Sequence, residues 1–356
     1  LETYKKFEEF ARGGGILIAT KRTPVEEPGF LATQGVQGQV AEISKRLFEG
    51  VSASAHLVID EKSDLGRTLN KLIVPTISFS VPSPDIGFIK RTTKDADIYF
   101  VANTSNTALN VQATIQAPGM KAEEWDPFTG VAKAIRDKSD RKEYSLVQLS
   151  LEPYQSRVFV FTKRMWPDQE PVNLKLPPPI DLSDNWQVTV GSSAATIWNK
   201  LHSWTDDPAT RYFSGIGTYS KDINIPAEFL TSGGAVRLSF GQGIPLAQQT
   251  LRSGMQAWLV SPLREAAVIY INEKRVGSVW CPPYEIDVSD FLKPGANRIR
   301  VEVGNTAMNY MAGHSLPDYR LLNLRYGERF QAQDMDKITS LPSGLLGPVR
   351  LIAETK

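Results

Sequence analysis

Three stretches in the second half of the chain decide its fold: YFSGIGTYSKDINIP at residues 212–226, AAVIYINEKRVGSVWCPPYEIDVSDFLKPGANRIRVEVGNT at 266–306, and LPSGLLGPVRL at 341–351. Apolar and polar residues alternate within them, most regularly over residues 299–303. Turn residues such as Pro294-Gly295 separate the alternating runs. A period of two interrupted by turns is typical of antiparallel strands. We therefore expect a β-sandwich in this part of the chain.

The same stretches, in the same order, resemble the jelly-roll "sugar-binding" domain of glycoside hydrolase family 2 β-galactosidases and β-glucuronidases. They are most similar to the version that ends the α-L-rhamnosidases of glycoside hydrolase family 106. Two further strings, DADIYFVAN at 95–103 and EEWDPFTG at 123–130, look like the preceding region of that family. The resemblance implies a galactose-binding-like jelly roll preceded by accessory domains. It also implies that the catalytic acids lie in an upstream (β/α)8 barrel, so no residue of this chain is expected to be catalytic.

Four segments follow from composition and periodicity. Residues 1–85 alternate helix and strand signals, and residues 86–164 carry short alternating strands typical of a small antiparallel sandwich. A proline-rich linker is expected at 165–180, and the jelly roll at 181–356. The predicted fold class is therefore mainly β, with a partial α/β unit at the N-terminal end.

The first segment is expected to be an incomplete α/β unit. Tyr4, Phe7 and Phe10 recur at helical spacing, and residues 16–19 and 55–59 read as strands around a second helix at 36–48. A third helix is predicted at Leu65, Leu69 and Leu72. A parallel sheet buried on both faces needs more than two strands, so neighbouring strands are expected upstream. The alternation also resembles the amidotransferase-like domain that follows the barrel in many large glycosidases.

Composition excludes several classes of function. The chain has 356 residues, 40 Lys plus Arg and 39 Asp plus Glu, for a net charge of +1, without a basic run, so nucleic acid is not an expected partner. No apolar run approaches the roughly 20 residues of a membrane span. The single cysteine, Cys281, excludes an internal disulfide and a thiolate zinc cluster.

Sequence motifs for hydrolysis within the chain are missing. GxSxG, HExxH and a Walker loop do not occur, and His56, His202 and His314 stand without a surrounding motif. Three pairs of acids are close in sequence: Asp206 with Asp207, Glu123 with Glu124, and Asp334 with Asp336. Adjacent acids on a strand point to opposite faces, so none of the pairs is expected to flank a glycosidic bond.

Aromatic side chains are the candidates for sugar contact, because a ring face can cover the apolar side of a pyranose. The jelly-roll segment contains Trp198, Trp204, Tyr212, Trp258, Trp280, Tyr284 and Tyr310. The predicted carbohydrate-binding residues are Trp204, Arg211, Tyr212, Trp280 and Asn305. Trp204 leads because it lies on an apparent loop, although an alternative role is to clamp that loop onto the sandwich. Asn305 has the alternative role of closing a turn at the end of its strand.

Calcium is the one cofactor that the jelly roll suggests, through loop carboxylates and carbonyl groups. Its expected ligands are Asp206 and Asp207, with Asp287 and Asp290 as further loop candidates. The expected partners are a plant or algal glycan and the catalytic barrel of the same enzyme, in the periplasm or outside the cell. The alternatives are an independent carbohydrate-binding module, or a hydrolase that is active within this chain.

Overall fold

A computed structural model of the chain describes residues 1–27, 34–49, 53–126, 130–135, 144–163, 176–231, 234–247, 258–315, 318–327 and 338–354. The chain folds into two compact units. The first unit comprises Leu1–Ser78 with Thr114–Gln116, and the second comprises Phe79–Ala113 with Ala117–Lys356. Antiparallel sheets dominate the structure, so the chain is mainly β, as the sequence predicts.

The first unit alternates helices with two short strands. Its elements are α1 (Glu2–Arg12), β1 (Ile18–Thr20), α2 (Gln34–Phe48), β2 (His56–Val58), a π-helical turn (Glu61–Leu65) and α3 (Gly66–Leu72). β1 and β2 pair in parallel, with Ile18 opposite His56. The predicted alternation of helix and strand is confirmed. Val36, the first residue of the predicted second helical face, lies outside the described side chains.

Of the three aromatic residues at helical spacing on α1, Tyr4 packs against the small core of the first unit. Phe7 and Phe10 are exposed, whereas Ala11 joins the small core that includes Leu47 of α2. Glu8 is also buried, because its carboxylate accepts two hydrogen bonds from the guanidinium of Arg46, at 2.8 and 3.1 Å. This hydrogen bonding lowers the pKa of Glu8. An ion pair between helices therefore sets the buried face, which aromatic spacing alone does not reveal.

The small sandwich consists of a five-stranded and a three-stranded sheet. Its strands are β3 (Ile77–Phe79), β4 (Ile86–Thr92), β5 (Ala96–Asn103), β6 (Leu109–Ile115), β7 (Lys121–Trp125), β8 (Ala132–Ile135), β9 (Ser145–Leu151) and β10 (Ser156–Thr162). The sheet orders are β4-β5-β10-β7-β8 and β3-β6-β9. Tyr99 and Phe161 are buried and meet edge to face, with their ring centroids 5.5 Å apart.

The jelly roll begins after the predicted linker, of which residues 165–175 lie outside the described part of the chain. Its strands are β11 (Ile180–Asp181), β12 (Asp184–Val190), β13 (Thr196–Lys200), β14 (Ile216–Ile225), β15 (Ala235–Ser239), β16 (Ile244–Pro245), β17 (Leu259–Val260), β18 (Leu263–Arg264), β19 (Ala266–Ile271), β20 (Lys274–Val279), β21 (Glu285–Asp287), β22 (Gly295–Gly304), β23 (Gly344–Leu345) and β24 (Arg350–Glu354). Its helices are α4 (Ala227–Thr231), α5 (Met308–Ala312) and α6 (Arg320–Tyr326), and 3-10 turns span Trp204–Asp206 and Ser289–Phe291.

Two antiparallel sheets enclose the core of the jelly roll. Their orders are β11-β24-β15-β21 and β13-β12-β14-β22-β19-β20, and the two-stranded sheets β16-β17 and β18-β23 accompany them. Ile299, Val301 and Val303 on β22 are all fully buried, so the alternation read from the sequence is the inward face of the six-stranded sheet. Leu238 and Leu351 meet them from the other sheet. Burial of this alternating face is the main stabilising contribution.

The small sandwich is tied to the jelly roll by hydrogen bonds within the second unit. The buried amide of Asn106 donates to the carbonyl oxygens of Leu246 and Trp258, at 2.7 and 2.9 Å. The backbone N–H of Trp258 donates to the hydroxyl of Tyr154 at 2.9 Å. These bonds satisfy backbone groups on both sides of β16-β17 and fix the segment that carries Trp258.

No membrane-spanning helix is found. Among the residues that the structure describes, none of the helices has the length and apolarity needed to cross a lipid bilayer.

Candidate functional site

Most residues predicted to contact carbohydrate lie at one end of the six-stranded sheet. The residues that mark this end are neighbours in the strand register: Ile216 on β14, Gly304 on β22 and Ala266 on β19. Trp280 directly follows β20 at the same level of the sheet. Arg211 and Tyr212 precede β14, and Asn305 follows β22. The topology therefore gathers residues that are far apart in the sequence.

The indole of Trp204 is buried instead of exposed. It has 0% of its surface exposed, and its Nε1 donates to the hydroxyl of Tyr219 at 2.7 Å. A Cβ atom on Gly217 or Gly344 would overlap the indole, so these glycines leave the space that the ring fills. The prediction that this ring is available to a sugar is wrong, because it closes one end of the sandwich core. The alternative, in which Trp204 clamps its loop, matches these contacts.

The hydroxyl of Tyr219 completes the clamp. It accepts a second hydrogen bond from the backbone N–H of Leu345 at 3.1 Å. Burial raises the pKa of Tyr219 to about 12. The group therefore stays neutral at ordinary pH and holds the 203–206 turn against the PSGLLGPVRL stretch.

The two carboxylates predicted to bind calcium cap turns. Asp206 accepts from the backbone N–H of Ser203 at 3.1 Å, and Asp207 accepts from that of Ala209 at 2.9 Å. Within the described ranges of the chain, no group of three or more His, Cys, Asp or Glu side chains is placed to hold a metal ion. Both acids stabilise the loop locally, as the preference of Asp for such positions explains.

Asn305 closes a turn with its amide group. Its Oδ1 accepts from the backbone N–H of Gly215 at 2.9 Å, and its Nδ2 donates to the carbonyl of Phe213 at 2.9 Å. Nδ2 also donates to the hydroxyl of Ser343 at 3.1 Å. The interpretation of Asn305 as a turn residue is confirmed. The amide positions the strand that follows Tyr212.

Three predicted residues are exposed at this end of the sheet. Tyr212 and Trp280 have 45% and 60% of their surfaces exposed. Arg211 is also exposed, and its Nε donates to the carbonyl of Thr205 at 3.2 Å. Their ring faces and guanidinium are therefore available to a ligand in solution.

Tyr310 and His314 lie beside Tyr212 but are not in the predicted carbohydrate-binding set, although Tyr310 is one of the aromatic candidates. The rings of Tyr310 and His314 stack with their centroids 3.8 Å apart and their planes at 22°. The ring of Tyr212 lies against Gly313, where a Cβ atom would overlap it. Tyr310 and His314 are four residues apart, and this spacing predicts that their side chains can meet. Tyr212 precedes Tyr310 by 98 residues, so no local sequence pattern predicts its position beside them.

The acid pairs considered from the sequence do not form an open site. The Glu123 carboxylate accepts from Nε1 of Trp125 at 2.8 Å, and Glu124 forms an ion pair with Arg157. Asp334 and Asp336 lie outside the described residues. In the described part of the chain, these carboxylates are therefore engaged in local contacts.

A different carboxylate pair lies on the four-stranded sheet. Arg237 is 2.7 Å from Glu354 through Nε and 3.5 Å from Glu285 through Nη1. Burial raises the pKa of Glu285, while the charge of Arg237 acts in the opposite direction. The guanidinium lies between the two carboxylates and contacts both.

Comparison with known proteins relates the chain to enzymes that cleave glycosides. Residues 1–139 match the family model of glycoside hydrolase family 106, described as alpha-L-rhamnosidase. The resemblance to the α-L-rhamnosidases is confirmed. A putative beta-glucuronidase from Formosa agariphila is 29% identical over 202 residues, which cover 49% of this chain and 16% of that protein.

A solved structure matches nearly the whole fold. The rhamnosidase from Novosphingobium sp. PP1Y gives a TM-score of 0.73 at 23% identity, covering 99% of this chain and 32% of that chain. The chain thus spans about a third of that structure and about a sixth of the curated relative. The solved structure shows the fold, and the family match together with the curated relative supports a glycoside hydrolase-related role.

Proposed function

We propose that this chain is the C-terminal accessory part of a bacterial α-L-rhamnosidase-like glycoside hydrolase. In this proposal it braces a catalytic (β/α)8 barrel of the same enzyme and does not cleave glycosides alone. The observation that carries the proposal is the match of residues 1–139 to the α-L-rhamnosidase family. This chain covers 16% of the curated relative and 32% of the solved rhamnosidase. Both proteins are therefore several times longer than the chain, which supports the proposal that it is one part of a larger enzyme.

The chemistry of the carboxylates also supports an accessory role. Glycoside hydrolysis needs two carboxyl groups that face each other across roughly 5 to 9.5 Å of open space, with room for the sugar or a water. Asp206 and Asp207 accept hydrogen bonds from their own turns, and Glu124 is paired with Arg157. An acid held in such contacts is poorly placed to protonate a leaving group or attack an anomeric carbon.

Among the residues that the structure describes, the strongest candidate for catalysis is the Glu285 and Glu354 pair. A raised pKa suits a general acid, and burial gives Glu285 that property. However, the side chain of Arg237 bonds to Glu354 and lies 3.5 Å from Glu285, in the space that a scissile bond would need. This geometry favours a structural ion cluster over a hydrolytic site.

The experiment is a turnover assay with 4-nitrophenyl α-L-rhamnopyranoside and the purified 356-residue chain. We expect no release of 4-nitrophenolate above the buffer blank. Glu285→Gln and Glu354→Gln are the test variants, and Asp64→Asn, at a half-exposed carboxylate of the first unit, is the matched control. Turnover by the unmodified chain that is lost in either glutamate variant and kept in Asp64→Asn would contradict the proposal.

An independent carbohydrate-binding module is the second candidate function. It is favoured by the exposure of Tyr212 and Trp280 at one end of the six-stranded sheet. Binding of a plant or algal glycan without association with the separately produced barrel would support this function. Association with that barrel would support the bracing role, whether or not the chain also binds a sugar. Analytical ultracentrifugation of the chain with that barrel distinguishes the two.

We also propose that the protein works in the periplasm or outside the cell. The resemblance to glycoside hydrolases that degrade polysaccharides favours these locations, because polysaccharides are met outside the cytoplasm. Fractionation of the producing cells, with immunodetection of this chain, tests the location. Recovery in the cytoplasmic fraction alone would contradict it.

A further inference from the structure

The structure brings three exposed rings together at one end of the jelly roll, and we call this group the aromatic ledge: Tyr212, Tyr310 and His314. Tyr310 keeps 54% of its surface exposed although His314 covers one face of its ring. Tyr212 keeps 45% exposed although it lies against Gly313. The three rings therefore lie close together, on and after α5 in the case of Tyr310 and His314 and just before β14 in the case of Tyr212.

A polar network that includes the buried amide of Asn309 holds the aromatic ledge. The backbone N–H of Tyr310 donates to the hydroxyl of Ser214 at 2.9 Å, which ties α5 to the loop of Tyr212. Asn309 is 1% exposed, accepts from the backbone N–H of Leu341 at 2.7 Å and donates to the hydroxyl of Ser343 at 2.9 Å. His314 Nδ1 is 2.6 Å from the carbonyl of Tyr310. Rings fixed by such contacts lose little conformational entropy when a ligand binds.

We propose that the aromatic ledge binds a single pyranose unit of a glycan. A sugar ring has an apolar face that stacks on aromatic rings, and its hydroxyls take up hydrogen bonds from the surrounding polar groups. Tyrosine hydroxyls, the imidazole of His314 and the adjacent guanidinium of Arg211 supply those bonds. Three rings cover far less than the roughly 800 Å² per partner of a stable protein interface, so a small ligand fits the patch better than a protein.

This inference rests on the proposed function, because the glycoside hydrolase-related role makes a sugar the available ligand. The two can fail separately. Turnover by the isolated chain contradicts the accessory role and leaves the ledge unaffected. Absence of binding contradicts the ledge and leaves the bracing role intact.

The experiment is saturation-transfer-difference NMR and calorimetric titration of the purified chain. The probes are L-rhamnose, methyl α-L-rhamnopyranoside, D-galactose and D-glucuronic acid. Tyr310→Ala and Tyr212→Ala remove ring faces, whereas Gly313→Ala keeps every ring and displaces that of Tyr212. Phe88→Ala is the matched control, since Phe88 is a 42% exposed aromatic on the small sandwich. Circular dichroism confirms that each variant is folded.

We expect at least one of the four sugars to bind saturably. The affinity should fall by about tenfold or more in Tyr310→Ala, Tyr212→Ala and Gly313→Ala, and stay within about twofold in Phe88→Ala. Two results would overturn the proposal. One is the absence of saturable binding to all four sugars, and the other is binding that the three ledge variants leave unchanged. Binding that is lost only in Trp280→Ala would place the site elsewhere on the sheet end and would also overturn it.

Discussion

Replacement of Trp204 by alanine tests whether this residue is structural. The indole is fully buried, fills the space beside Gly217 and Gly344, and donates a hydrogen bond to Tyr219. Truncation of a buried Trp to Ala costs about 3 to 5 kcal/mol of unfolding free energy, since it removes the ring and leaves a cavity. For a domain of 150 to 250 residues, this corresponds to a fall in Tm of about 6 to 20 °C.

The assay is thermal unfolding of the wild-type and Trp204→Ala chains, followed by circular dichroism and calorimetry. Trp280→Ala is the matched control, because the same ring is removed from a position where 60% of it is exposed. The control should change the free energy of unfolding by about 0.5 kcal/mol or less. A Trp204→Ala chain with unchanged Tm and lost sugar binding would refute the reasoning and restore the ligand role first predicted for this indole.

Two further variants test contacts that stabilise the rest of the chain. Asn106→Ala should lower the unfolding free energy by about 1 to 3 kcal/mol, because the carbonyl of Leu246 loses its side-chain donor and that of Trp258 keeps only the backbone N–H of Leu246. Asn110→Ala, at an exposed position, should have little effect in the same denaturation experiment, and equal effects would contradict the account. Glu8 has a lowered pKa, so its ion pair contributes stability at pH values above the ordinary carboxyl pKa of 4.5, and that stability is lost as the pH falls through the folded-state value. As the pH is lowered, the free energy of unfolding should therefore fall less steeply in Glu8→Gln than in the wild-type chain. The same dependence on pH in both chains would contradict this explanation.

Much of the fold could be predicted from the sequence, because its signals are local. The alternation at residues 299–303 marks a strand with one buried face, and the helical spacing at Val40, Ile43 and Leu47 marks the packed face of α2. The buried face of α1 could not be predicted in this way. It depends on Arg46, which is 38 residues from Glu8 in the sequence.

The candidate site could be predicted only in part. Tyr212 and Trp280 are exposed, as a sugar contact requires, and the register of the sheet places both at one end. Trp204 was misjudged because a loop position indicates exposure, whereas Gly217 and Gly344 come from distant strands to receive its ring. The contribution of Tyr310 and His314 depends on α5, which is anchored by Ser343 and Leu341. No local pattern encodes such an arrangement.

The central claim is that this chain works as one part of a much larger hydrolase. Its most direct test is the intact mass of the polypeptide that carries this sequence in the cells that produce it, measured by mass spectrometry. The account predicts a mass above about 100 kDa, because a catalytic barrel and its companion domains add several domains of ordinary size. A native polypeptide of 39.5 kDa, the mass of this chain alone, would contradict it.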